Sequence, residues 1–232
     1  MSLMKTHSVV AKFPKLMRRL VGRGCDAADF APVYAGAQDD AWGYERRPFE
    51  RERFDLIMDV MSDLSPERLL EVGCAEGHLT RRLSGHVEEL VACDVVEEAL
   101  RRAKEHCAGL ANVRFLLADI RKTWPEGMFD AVLCSDVLYY FTKREVRGVV
   151  HRSALKISPG GHFLFANEWQ DGYRLHTHPE YVIAQLAQSG DWQLLRRERL
   201  VDREESRTLI VTLWRRNEMA DRTASLPKET TE

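Results

Sequence analysis

Leu69-Leu70-Glu71-Val72-Gly73-Cys74-Ala75-Glu76-Gly77-His78 reads as a short buried strand, a glycine turn and the start of a helix. Asp94 closes the next apolar run, Leu90-Val91-Ala92-Cys93. A glycine turn between strand and helix lets backbone N–H groups approach a ligand. An acidic side chain about 20 residues on can accept hydrogen bonds from ribose hydroxyls. The stretch therefore predicts a nucleoside-cofactor site. A dinucleotide fingerprint needs three glycines spaced G-x-G-x-x-G, but Gly73 and Gly77 stand in G-x-x-x-G form. Ala75 and His78 occupy the other two places, which argues against a pyrophosphate lying on the backbone. Glu71, two residues before the first glycine, would repel phosphate and suit a cation. A cofactor with a ribose, a positive sulfonium and an amino-acid tail fits these features, and S-adenosylmethionine has all three.

The chain of 232 residues is long enough for one domain with a sizeable core and a small cap. A net charge of −2 creates no global field for nucleic acid. No run approaches the roughly 18 apolar residues of a membrane span. A cytoplasmic location is expected. The five cysteines, Cys25, Cys74, Cys93, Cys107 and Cys134, show no C-x-x-C spacing and predict free buried thiols. Neither a disulfide framework nor a metal centre is expected. From Met4 to Arg23 basic residues interleave with apolar ones, giving a surface helix or loose arm without the apolar core of a secretory signal. The expected organisation is an arm or cap over residues 1–45, a catalytic domain over 46–216, and a polar tail over 217–232.

Periodicity supplies the elements. Helices are expected at 48–64, from 79, at 96–107, 143–157 and 179–187. Strands are expected at 68–72, 90–93, 113–118, 129–134 and 162–166, followed by two more at 192–201 and 206–214 joined as a hairpin. Ser158-Pro159-Gly160-Gly161 reads as the stop after the fourth of these helices. The alternation predicts an α/β doubly wound, mostly parallel seven-stranded sheet with a C-terminal antiparallel hairpin. Ligands of such sheets bind at the carboxyl ends of the strands, where the winding reverses. Glu71–Gly77, Asp94, Asp119 and Cys134–Asp136 all fall at strand ends.

From Trp42 to Arg216 the chain resembles the seven-stranded S-adenosylmethionine-dependent methyltransferase superfamily. The resemblance rests on Glu71–Gly77, Asp94, Ala118-Asp119-Ile120, the run from Phe129 to Tyr140, and Leu155-Lys156-Ile157-Ser158-Pro159-Gly160-Gly161. Within it, Asp40-Ala41-Trp42, the stretch from Pro48 to Arg53 and Val137-Leu138-Tyr139-Tyr140 look most like nodulation-factor N-methyltransferases and related small-molecule enzymes. Ala41 stands where that family often has proline. The resemblance implies a cofactor-binding set of Trp42, Arg53, Glu71, Gly73, Cys74, Gly77, Asp94, Val95, Asp119, Ile120, Cys134 and Ser135. Asp94 would accept both ribose hydroxyls, and Asp119 would bond the adenine amine with Ile120 against the ring. Cys134 or Ser135 would offer carbonyls to the methionine amine. Trp42 and Arg53 would close over the cofactor, with Arg53 pairing its carboxylate.

Methyl transfer from a sulfonium is an in-line substitution whose rate comes largely from alignment. Candidate acceptor-side residues are Tyr140, Glu168, Trp169, His176 and His178, with Glu168 and Tyr140 assigned the catalytic roles. His176 and His178 read first as a loop before a helix capped near Thr177. The expected acceptor is an N or O atom of a small molecule, and S-adenosylhomocysteine is the product. An NAD-dependent oxidoreductase and a non-catalytic or RNA-modifying cofactor binder are the alternatives. The missing glycines count against the first and the acidic balance against the second.

Overall fold

A computed structural model of the chain describes residues 24–35, 40–170 and 177–218. The basic arm up to Arg23, the candidate His176 and most of the polar tail lie outside them.

Helix α1 (Ala27–Ala35) precedes α2 (Pro48–Met61), β1 (Arg68–Val72), α3 (His78–Leu83), β2 (Glu89–Asp94) and α4 (Glu97–His106). Then come β3 (Val113–Leu117), β4 (Phe129–Ser135), α5 (Lys143–Lys156) and β5 (Ile157–Gln170). Helix α6 (Pro179–Gln188) leads into the hairpin of β6 (Trp192–Asp202) and β7 (Arg207–Arg216). The sheet order is β3-β2-β1-β4-β5-β7-β6. Strands β3, β2, β1, β4 and β5 pair in parallel, and β7 is antiparallel to both β5 and β6. The expected seven-stranded, mostly parallel sheet with its terminal hairpin is what forms. Its winding reverses between β1 and β4, and the glycine turn leaves β1 at that point.

Central strands are buried on both faces, so their side chains alternate between two cores rather than between core and water. Leu70, Val132, Phe163 and Phe165 join Val146, Val149 and Val150 of α5 and Val182 and Leu186 of α6 on one face. Leu69, Leu133 and Leu164 join Phe54, Ile57 and Val60 of α2 and Leu79 and Leu83 of α3 on the other. Helix starts are fixed locally. Pro48 and Pro179 begin α2 and α6, where a missing N–H costs nothing. Thr142 and Glu145 form a capping box on α5. All five cysteines are free and buried, as expected.

Two expectations need correction, and one helix was not expected. Helix α1 forms within residues 1–45, because Tyr34 buries itself against Ala41, Val96 and Ala99. Strand β5 starts at Ile157, not 162, and runs on to Gln170. The expected stop, Ser158-Pro159-Gly160-Gly161, is absorbed as a bulge between the pairs Phe129–Ile157 and Ala131–His162. A Cβ at Gly161 would lie 2.7 Å from the Asp130 carbonyl, so glycine permits that approach. The far end of β5 is lengthened by its antiparallel pairing with β7, out to Gln170 opposite Arg207. Finally, β7 begins at Arg207, since Ser206 (φ 53°) belongs to the turn.

Candidate active site

One large cleft opens at the carboxyl ends of β1, β2, β4 and β5, enclosing about 1390 Å³ with its open mouth. One half of its wall is Val72, Gly73, Ala75, Asp94, Val95, Ala118, Asp119, Ile120 and Ser135. The other half is Tyr44, Arg47, Glu50, Arg53, Asp136, Tyr139, Tyr140, Glu168, Trp169 and Arg207. Phe30, Tyr34 and Trp42 wall it from the N-terminal segment.

The glycine turn is held by backbone and carboxylate together. Gly73 has φ +77°, and a Cβ there would fall 2.3 Å from Val137 Cγ2, so no side chain is tolerated without displacement. Ala75 is also left-handed (φ 48°), a conformation costing about 1–2 kcal/mol for a residue with a Cβ. Its N–H donates to Asp94 Oδ2 at 3.0 Å, and the Val96 N–H donates to Asp94 Oδ1 at 3.0 Å. Asp94 thus ties the turn to β2 while facing the cleft. Burial raises its carboxyl pKa against those backbone bonds. Gly77 (φ +82°) does different work: a Cβ there would meet Cys107 Sγ at 3.0 Å and Ala103 Cα at 3.2 Å. It lets α3 pack on α4 and lies outside the cleft wall.

Glu71, Cys74 and Cys134 are also set back from the cleft. Glu71 points to the α3 side of β1 and accepts a 2.6 Å bond from Thr80 Oγ1. It and Cys74 line a small side pocket behind the turn. Cys134 is fully buried in the core beneath Ser135. Burial pushes the Glu71 carboxyl up from 4.5 to about 7. A carboxyl raised on folding stabilises the fold fully below its unfolded value, and this contribution is lost as pH rises through the folded value. From about pH 4.5 to 7 the stability of the wild type should therefore fall relative to Glu71→Gln, by about 3 kcal/mol in total. Urea unfolding of both proteins across this pH range checks it; parallel stability curves would refute the burial effect.

Asp119 reaches the cleft, and Arg121 already grips it through Nε and Nη2, each at 2.8 Å. Burial raises the Asp119 pKa, but the Arg121 bonds outweigh it and leave the carboxyl below its usual range. Trp42 donates from Nε1 to the Tyr34 hydroxyl at 2.9 Å. The segment carrying it is docked by Glu76, whose Oε2 accepts from the Ala41 N–H at 2.7 Å while Oε1 pairs Arg102 at 2.9 Å.

The acceptor-side half is a buried charge network. Arg53 pairs with Glu50 at 2.8 Å and with Asp136. Asp136, left-handed at φ 53°, accepts the Glu168 N–H on Oδ1 at 2.7 Å. Arg207 contacts Glu50, Glu168, Asp202 and Glu205 at 3.0–3.4 Å. Glu168 is 9% exposed, and among the described residues its Oε1 finds no hydrogen-bond donor. Burial raises its pKa despite Arg207. Tyr140 and Tyr139 share a 3.2 Å hydroxyl bond, and burial drives both phenols upward, so they remain neutral donors rather than bases. His178 caps α6, accepting the Glu180 N–H on Nδ1 at 3.1 Å, with its ring on Trp169. Sequence reasoning assigned no role to Glu50, Arg207, Glu76 and Arg121. It placed Asp136 at a ligand-binding strand end but gave it no part in the site.

A family model described as nodulation protein S (NodS) matches residues 35–215. Nodulation protein S of Sinorhizobium fredii (strain NBRC 101917 / NGR234) is 30% identical over 155 residues, 65% of this chain and 72% of that protein. Nodulation protein S of Rhizobium tropici is 33% identical over 133 residues, 56% of each. The crystal structure of N-methyltransferase NodS from Bradyrhizobium japonicum WM9 with S-adenosyl-L-homocysteine superposes with a TM-score of 0.71 at 26% identity, covering 80% of this chain and 99% of that one.

Proposed function

The chain belongs to the nodulation protein S family and is an S-adenosylmethionine-dependent methyltransferase, and from that premise we propose that its acceptor is the amine of a small molecule. The observation carrying this reading is Glu168, a buried carboxylate on the cleft wall with one oxygen lacking a donor. Its surroundings are short of positive charge. Glu50, Asp136, Glu168, Asp202 and Glu205 are set against Arg53 and Arg207, with Arg47 adding attraction at Glu168. An amine bringing N–H donors and a positive charge satisfies that wall; a neutral alcohol brings one donor and no charge. The solved relative described as an N-methyltransferase supports the same choice.

The residues present fit the cofactor. Gly73 keeps the cleft floor free of a side chain, and Asp94 offers a carboxylate to the ribose hydroxyls. Asp119 and Ile120 line the cleft where they would hold the base, Ser135 where it would meet the amino-acid end, and Trp42 where it would cover the cofactor. Arg53, already shared by Glu50 and Asp136, retains an Nε without a hydrogen-bond acceptor among the described residues. The cofactor supplies the activated methyl group. Glu168 takes the proton from the acceptor ammonium at Oε1, freeing the nitrogen lone pair for in-line attack. Tyr139 and Tyr140 orient the acceptor as neutral donors, and the aromatic walls exclude water.

Methyl transfer from labelled S-adenosylmethionine to an amino sugar and to its N-acetylated form tests the reading. Transfer to the free amine alone is expected; equal transfer to both would move the reaction to oxygen. Asp94→Ala should weaken S-adenosylhomocysteine binding about 100-fold by calorimetry, since two bonds to a charged acceptor are worth about 3 kcal/mol. Unchanged affinity would remove the ribose role from Asp94.

A further inference from the structure

Away from the cleft, three side chains from separate segments meet behind the glycine turn. They are Glu45, His78 at the first position of α3 and His106 at the last position of α4. One ligand-type atom from each lies within 4.8 Å of the others. The two imidazoles lie with ring centroids 4.4 Å apart and planes tilted by 41°, and His78 Nδ1 is 3.9 Å from Glu45 Oε1. We propose that Glu45, His78 and His106 form a binding site for a divalent cation of the zinc class, with water completing the coordination.

Two imidazoles and a carboxylate are a donor set that zinc accepts with a fourth position open. Bonds near 2.1 Å in tetrahedral geometry put ligand atoms about 3.4 Å apart. Glu45 can close in on the imidazoles, because its side chain is 66% exposed. The Arg81 guanidinium is directed to the His106 carbonyl at 2.8 Å. Asp40 and Glu76 also approach His78, and Arg46 and Arg102 pair with them. An ion here would fasten the segment carrying Trp42 and Tyr44 to the first turn of α3, behind the cofactor half of the cleft.

The test uses the full chain stripped of metal with a chelator that is then removed. Zinc is titrated by calorimetry, and Co²⁺ by its visible absorption. One zinc ion per chain is expected, with His106→Ala and Glu45→Gln each weakening it at least about tenfold. S-adenosylhomocysteine affinity, measured without metal, should match the wild type in both variants, which reports folding and the cofactor site independently. Absence of saturable zinc binding, or wild-type zinc affinity in either variant, overturns the site.

Discussion

Gly73→Arg is expected to leave a folded chain that binds no measurable S-adenosylhomocysteine. At φ +77° any L side chain is strained by about 1–2 kcal/mol, and its Cβ meets Val137 Cγ2 at 2.3 Å. Valine is stiff at χ1, so the contact is relieved by moving backbone or by pushing the new side chain into the cleft. A few kcal/mol is within the stability of an ordinary domain, about 5–15 kcal/mol, so the fold survives. The cofactor site does not, because a guanidinium then occupies the space between Val72, Ala75 and Asp94. Calorimetry should register an affinity loss of at least about 1,000-fold, or 4 kcal/mol. The milder Gly73→Ala separates strain from blockage. Its stability loss should be partly recovered when combined with Val137→Ala, which removes the clashing methyl. Wild-type affinity in Gly73→Arg would mean that the cofactor does not lie against this turn.

Glu168→Gln should lower kcat by about 10²- to 10⁴-fold, the range for a lost general base, while S-adenosylhomocysteine affinity stays at the wild-type value. The pH profile distinguishes this from a structural effect. A base works when ionised, and burial has raised the Glu168 pKa. Wild-type activity should therefore fall as pH drops through a value above the ordinary carboxylate range, and that acid limb should vanish in the variant. Structural damage should be small, because Arg207 retains Glu50, Asp202 and Glu205. Glu168→Asp should retain part of the rate and the acid limb. An unchanged kcat in Glu168→Gln would leave the acceptor proton to solvent.

The glycine turn, Asp94 and the alternation of strand and helix were legible because each is a local pattern. Turn chemistry and apolar period act between residues a few positions apart. Helix α1 was missed because its anchors, Ala41, Val96 and Ala99, lie beyond it in the chain. The length of β5 was missed because β7, some 40 residues on, sets where it ends. Among the site residues, Gly77, Glu71, Cys74 and Cys134 belong to the same motifs as the cleft residues, but strand alternation turns Glu71 and Cys134, and the course of the turn sets Cys74 and Gly77, toward helices and core.

By itself the sequence determined a doubly wound sheet, a nucleoside-cofactor turn at its switch point and Asp94 to face it, since these follow from glycine spacing and periodicity. The acceptor-side wall was decided by tertiary structure alone. Arg207 reaches Glu50 across 157 positions and Glu168 across 39. Such charges carry no periodic or spacing signal, and only the antiparallel docking of β7 on β5 brings them to one cleft.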